Sequence, residues 1–398
     1  MRYSSRVDRI AGRTSRAWDI HHIAVEKRER GERIILLTVG NTDFRSPGPA
    51  IAAVRDELAA GRTHYSPSAG GRAIREAIAR RHTRNTGQAI DADQVITTIG
   101  AQNALLTAAL CLVEPGDQVL VPEPMYTTYP GTIAAAGGEI ISIRSPAENR
   151  FHPLINEFEA AIGSRTRAIF LATPNNPTGA VYTSDELSAI AAVCRRHDLW
   201  LVSDEVYGEL VYEGSHVSPA VLPGMAERTI TISSLSKSYA MAGWRLGWMI
   251  GPRELVHHAE RVALCATYGI PTFLQEAGVA ALEQFPNGLP ELRAAYRRRR
   301  DWLCDCIETA PVLSCHRPEG GMFVLLDVRA TGLSAYDFAK RLVLEEGVAI
   351  LPADGFGDST TGHLRISLGA ADAEIEEAGL RLSRFAKQMC QHMVLLKH

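Results

Sequence analysis

Strand-like and helical runs alternate through the middle of this 398-residue chain, which predicts an α/β fold: a mostly parallel, seven-stranded sheet with helices on both faces. Three observations carry that expectation. Short apolar or β-branched runs recur at Val95–Thr98, Gln118–Val121, Glu139–Ile143, Arg167–Ala172, Leu199–Ser203, Thr229–Ile232 and Arg245–Ile250. Helical patterns such as Ala101–Val113 and Asp185–His197 separate most of them. Beyond residue 320 the pattern changes to short strands mixed with helices, which predicts a smaller α+β domain.

Taken in order, Ile34–Val39 reads as a buried strand that ends at Gly40-Asn41-Thr42-Asp43, ahead of the breakers Pro47-Gly48-Pro49. Helical spacing follows over Ala50–Ala60, then a turn-rich loop His64–Gly71 and an amphipathic helix over Arg72–Thr83. After the seven alternating strands, helical patterns run from Arg253 to about Ala310. The closing region places strands at Met322–Asp327, Val348–Leu351 and Leu364–Leu368, and helices at Ser334–Glu346 and Asp372–Gln391. The expected division is a large domain over 45–285 and a small one built from 1–44 and 286–398.

Composition excludes several classes. Apolar residues make up 46% and charged residues 22%, and the net charge of −3 offers nothing to nucleic acid or to a membrane surface. The one basic run, Arg297–Arg300, lies on a helical pattern and is expected to be a solvated face. Seven cysteines without a C-x-x-C pair point to reduced thiols, a cytoplasmic setting and no metal site. Residues 1–18 carry arginines but no apolar core, so a secretory signal is not expected.

Chemistry concentrates where strands end, the edge at which open parallel sheets collect ligands. Val95–Thr98 gives way to Gly100-Ala101-Gln102 and a helix, whose free N–H groups favour an anion. Arg167–Ala172 leads to Asn176-Pro177-Thr178-Gly179, Leu199–Ser203 to Asp204 and Tyr207, and Thr229–Ile232 to Ser234-Leu235-Ser236-Lys237, with Arg245 eight residues on. Hydroxyls, an arginine and a lysine suit a phosphate beside a reactive amine. Each stretch alone fits ordinary turn or capping chemistry; four on one sheet edge do not.

Asn176-Pro177-Thr178-Gly179, Asp204-x-x-Tyr207, Ser234-x-x-Lys237 with Arg245, and Arg365 on a late strand resemble, in order and spacing, the class I, fold-type-I aminotransferases. The resemblance implies pyridoxal 5′-phosphate as cofactor. Lys237 would carry it as a Schiff base and shuttle the substrate proton. Asp204 would keep the ring nitrogen protonated, and Tyr207 and Asn176 would hydrogen-bond the ring's phenolic oxygen. Gly100, Ala101, Gln102, Ser234, Ser236 and Arg245 would hold the phosphate, with Tyr65 entering from a second subunit of a homodimer. Tyr126 would stack on the ring, although an aromatic at that position suits a core equally. Arg365 would clamp the substrate carboxylate, with Gly40 and Trp18 beside the substrate; a buried ion pair is the other reading of Arg365. Gly40-Asn41-Thr42-Asp43-Phe44 departs from the Gly-Glu-Pro-Asp-Phe of many relatives.

Ala17–His21, Tyr296–Asp301 and Gly320–Val324 further resemble transaminases that take arginine as amino donor and pyruvate as acceptor. A guanidinium needs a carboxylate or an aromatic face, and Asp19, Trp18 and Asp43 are the candidates. The implied reaction is a ping-pong transfer from an L-amino acid to a small 2-oxo acid. The alternatives are an aspartate- or aromatic-type aminotransferase, or a lyase or oxidase on the same scaffold. A nicotinamide dehydrogenase is disfavoured, since Gly100-Ala101-Gln102-Asn103 does not supply G-x-G-x-x-G.

Overall fold

A computed structural model describes residues 1–11, 16–285 and 288–395; Arg13 and the side chain of Cys390 lie outside that description. Its centre is one seven-stranded sheet. The chain order of strands is β1 (Ile35–Leu36), β2 (Val95–Ile99), β3 (Gln118–Glu123), β4 (Glu139–Arg144), β5 (Thr166–Ala172), β6 (Trp200–Asp204), β7 (Thr229–Ser234) and β8 (Leu246–Ile250), followed by β9 (Ser314–Cys315), β10 (Phe323–Asp327), β11 (Val348–Ala349), β12 (Leu351–Pro352) and β13 (His363–Ser367). Within the large sheet the order is β2-β8-β7-β6-β5-β3-β4. Every pairing is parallel except the two made by β8, which runs against β2 and β7.

Alternation along each strand sends side chains to opposite faces, and both faces are covered. Val119 and Val121 join Phe170, Val202 and Ile230 against the helix Gly100–Leu112, whereas Leu120, Ile169 and Leu201 pack with the helix Ser184–Arg196. The helices Arg72–Thr86 and Thr272–Gln284 cover Trp248 and Leu246 beside them. A second, antiparallel sheet of order β12-β13-β10-β9 shares a core with the helices Ala335–Glu345 and Asp372–Leu395.

Two sequence expectations change, and a third, the helical stretch after Arg253, is borne out as separate helices. Ile34–Val39 forms only the two-residue strand β1, paired in parallel with β11; Val39 and Gly40 line the larger cavity described below. The pattern from Arg253 to Ala310 is three helices, Arg253–Ala266, Thr272–Gln284 and Gly288–Glu308. The basic run is a solvated face only at Arg297 and Arg298, which are exposed, whereas Arg299 and Arg300 are 5% and 2% exposed. Each of the latter two reaches inward to acids. Arg299 pairs with Asp43 at 2.8 Å and with Asp372 at 2.5 Å, and Arg300 pairs with Asp301 at 2.7 Å and lies 4.8 Å over the Tyr212 ring.

Candidate active site

The carboxyl ends of β2, β3, β5, β6 and β7 lie along one edge of the sheet. Antiparallel β8 begins where its neighbours finish, with Leu246 opposite Ile99 and Gly247 opposite Ser234, so Arg245 arrives at the same edge from the other direction. Close approach there needs glycine. At Gly100, with φ +69°, a Cβ would collide with the Arg245 guanidinium; at Gly247 it would lie 2.5 Å from the Gly100 carbonyl carbon and 2.7 Å from the Ala101 nitrogen.

Two cavities meet at this edge. The smaller, about 140 Å³, is lined by Gln102, Tyr126, Asn176, Asp204, Tyr207, Ser234, Ser236, Lys237 and Arg245 among others. The larger, about 620 Å³, shares Tyr126, Asn176, Tyr207 and Lys237 with it and adds Trp18, Gly40, Phe323, Phe356 and Arg365. Fourteen of the fifteen residues expected from the sequence therefore belong to one neighbourhood, counting Gly100 and Ala101 at the start of the helix beneath Arg245. Tyr65 is the exception. It is 86% exposed and packs edge-on against Tyr268, 5.0 Å between ring centroids.

Lys237 donates from Nζ to the Gly40 carbonyl at 2.6 Å. Burial, then the charges of Arg365 and Arg245, push its pKa down from 10.5 to about 8. Burial likewise raises the Asp204 carboxyl to about 6, against the hydrogen bonds it accepts from the Val206 N–H at 3.2 Å and the Tyr129 hydroxyl at 3.0 Å. Desolvation holds Tyr207 well above its ordinary value, so its phenol keeps its proton. Arg365 is buried, donates to Asn176 Oδ1 at 3.1 Å and to the Thr38 carbonyl at 2.8 Å, and lies 4.2 Å over the Phe323 ring. Its Nε is buried without a partner, an unmet donor in a site that has room for a carboxylate. Desolvation lowers its pKa to about 10.

The donor set suits a phosphorylated aldehyde. The Ser234 and Ser236 hydroxyls, Arg245 and the first N–H groups of the helix Gly100–Leu112 converge on one end of the small cavity. The Gln102 side chain is already engaged, accepting from the Thr128 hydroxyl at 2.6 Å and donating one N–H to Thr132 at 2.9 Å. Asp204 lines the same cavity and could meet a protonated ring nitrogen there.

Two of the candidates for reading a guanidinium are removed. Asp43 is held by Arg299 through both oxygens, at 2.9 and 2.8 Å, and Asp19 lies 3.7 Å from Arg16 on the surface; neither lines the cavities. Trp18 does line the larger cavity, half-exposed, with its ring edge on His21. Sequence reasoning missed Tyr129, Thr38, Phe323 and Phe356. Nothing in Met125-Tyr126-Thr127-Thr128-Tyr129 marks the second tyrosine as the one that reaches Asp204.

An α/β sheet with a lysine, a carboxylate and an anion cradle at one edge is the arrangement a pyridoxal-phosphate-type enzyme requires. The chain belongs to the aminotransferase class I and II family, which it matches over residues 32–382. It is 48% identical over 389 residues to the arginine–pyruvate transaminase AruH of Pseudomonas aeruginosa, covering 98% of this chain and 99% of that protein. The aspartate/prephenate aminotransferase of Thermus thermophilus is 37% identical, over 92% of this chain and 93% of the relative. The structure of the Thermus thermophilus aspartate aminotransferase with maleate superposes with a TM-score of 0.91 at 35% identity, over 96% and 100% of the two chains.

Proposed function

We propose that this aminotransferase takes arginine, or another amino acid with a guanidino or basic side chain, as donor and a small 2-oxo acid such as pyruvate as acceptor, in two half-reactions at one site. The 48% identity to an arginine–pyruvate transaminase over nearly the whole chain carries the choice of substrate. Electrostatics support it. Among the described residues lining the larger cavity the only cations are Lys237 and Arg365, both already committed, so none of these is left to pair with a second substrate carboxylate. The cavity continues past Thr127, Thr128 and Gly355 into a wider opening of about 1070 Å³ whose lining includes Glu123, Asp354 and Asp358. Trp18 and Phe356 offer aromatic faces on the way.

When bound, pyridoxal 5′-phosphate supplies an electron sink for the substrate's α-carbon. Lys237 attaches it and, once released, moves the proton at that carbon; with its pKa near 8 rather than 10.5, the neutral amine at pH 7 is roughly 300-fold more abundant. Asp204 holds a proton on the ring nitrogen. Asn176 turns Oδ1 to Arg365, which leaves its amide N–H groups for the ring's phenolic oxygen, with the Tyr207 hydroxyl beside it. Ser234, Ser236, Arg245 and the backbone at Gly100, Ala101 and Gln102 hold the phosphate. Arg365 clamps the substrate carboxylate through its unmet Nε.

Tyr65, exposed here, serves the phosphate of a second copy, which makes the working unit a homodimer with shared sites. The same reading divides the chain into the domains 45–285 and 1–44 with 286–398. Cytoplasmic location fits the six described cysteines, all free thiols; among the described residues no helix is long and apolar enough to cross a membrane.

The test is spectroscopic. Arginine added to the holoenzyme should bleach the absorbance of the lysine-bound cofactor, and pyruvate should restore it. If arginine leaves the spectrum unchanged while aspartate or an aromatic amino acid bleaches it, the choice of donor is wrong. Ammonia release without recovery on pyruvate would instead favour a lyase or oxidase.

A further inference from the structure

Tyr129 is 2% exposed, opens the helix Tyr129–Ala136, and donates its hydroxyl to Asp204 Oδ2 at 3.0 Å. Its ring meets Phe170 edge-on at 6.4 Å and Tyr126 at 6.0 Å. Three residues earlier, Tyr126 lines both cavities. Gln102 clasps the intervening stretch through Thr128 and Thr132. One short segment therefore carries the aromatic at the ring position and the donor that fixes the acid, and it is tied to the helix that begins the anion cradle.

We propose that Tyr129 is a positioning residue for the transamination: its hydroxyl fixes the Asp204 carboxylate, as the anion, in register with the ring nitrogen of the cofactor while its ring keeps Tyr126 over the ring face. The proposal rests on the role given to Asp204 above. The carboxylate has two oxygens; Oδ1 takes the Val206 N–H at 3.2 Å and Oδ2 takes Tyr129. With the acid held from behind on both sides, its remaining lone pairs are directed into the cavity. Without the tyrosine donor the carboxylate gains proton affinity and rotational freedom. The acid would then draw more of a proton shared with a ring nitrogen, and a cofactor held there would supply a weaker electron sink. The charged and titratable groups that face this pair are Glu205 and Tyr207 on the segment after β6, Tyr126 and Tyr182 around the Tyr129 ring, and Lys237 and Arg245 across the cavity.

Tyr129→Phe removes one oxygen and keeps the ring, so the core contacts with Phe170 survive. In the holoenzyme its kcat should fall about tenfold to a hundredfold, the range for a hydrogen bond to a charged group, with KM for the amino acid little changed because Tyr129 does not line the larger cavity. The pH midpoint of the lysine-bound cofactor's absorbance should move upward, and cofactor should dialyse away faster. In an Asp204→Asn background the same substitution should change none of these quantities by more than about twofold. Unchanged kcat and midpoint in Tyr129→Phe overturn the proposal, as does a loss of equal size in the Asp204→Asn background, which marks a packing role. An Asp204→Asn variant with parental activity and midpoint would instead overturn the role of Asp204 itself.

Discussion

Lys237→Met should change how the stability of the cofactor-free protein depends on pH. In the folded chain the Lys237 amine titrates near 8 and in the unfolded chain near 10.5, burial being the main cause and Arg365 and Arg245 adding to it. Between those values the unfolded chain holds a proton that the folded chain has released, so stability rises with pH across the window. At pH 7 the charged amine costs the fold about 3 kcal/mol, from the 2.5-unit gap (10.5 − 8) at 1.36 kcal/mol per unit. By pH 9.5 about 2 kcal/mol of that is recovered by the parent. Methionine fills similar space without titrating. It leaves the Gly40 carbonyl without the donor it has at 2.6 Å, at about 1–3 kcal/mol, which nearly cancels the gain at pH 7. Urea unfolding of the two proteins at pH 7, 8.5 and 9.5 reads the difference directly, because Asp204, the histidines and every other titrating group are common to both. The parent should gain about 2 kcal/mol on the variant over that range. Parallel curves would refute the claim that the lysine's charge is strained in the cofactor-free protein.

Gly40→Ala tests the space around that nitrogen. A Cβ there would lie 2.9 Å from Phe323 Cζ and 3.4 Å from Lys237 Nζ, so the ring that supports Arg365 must shift; overpacking should lower stability by about 1–3 kcal/mol and, because the displaced ring and amine belong to the site, should lower kcat/KM as well. A fall in Tm with kcat/KM intact would contradict it. Asp43→Asn should lower stability by about 2–4 kcal/mol in urea unfolding, since Arg299 is 5% exposed and would keep its charge with one acid fewer. Its preference among amino donors should stay that of the parent; a selective loss of arginine as donor would return Asp43 to the substrate.

The architecture was legible because β-rich runs and helical runs alternate with little ambiguity, and strand ends carry the chemistry in any open parallel sheet. Asn176, Asp204, Ser234 and Lys237 each follow a strand closely enough that only the sheet's parallel pairing is needed to bring them together. Arg245 required more. It precedes its strand, and it reaches the same edge only because β8 is antiparallel, which no run of five apolar residues reveals. Arg299 and Arg300 were misread for a related reason: a basic run looks solvated until the acids that meet it, Asp43 and Asp372 from distant parts of the chain, are in place. Tyr129 left no signal, since a tyrosine bound to a buried acid and a tyrosine filling a core obey the same pattern.

The site gathers charges that the fold holds out of water. Burial is the leading cause of the shifts at Lys237, Asp204 and Arg365, downward for the two cations and upward for the acid. Their neighbours inside the chain do not neutralise them: Lys237 and Arg365 find backbone or amide oxygens, and Asp204 finds a phenol and an amide N–H. Each therefore gains most from a ligand of opposite or reactive character, an aldehyde for the amine, a protonated ring nitrogen for the acid, a carboxylate for the guanidinium. A hydrophobic sheet covered on both faces supplies the stability against which such strain is held. On this view ligand binding relieves a cost already built into folding, and the cofactor-bound protein should be more stable than the cofactor-free one by more than its phosphate contacts alone would supply.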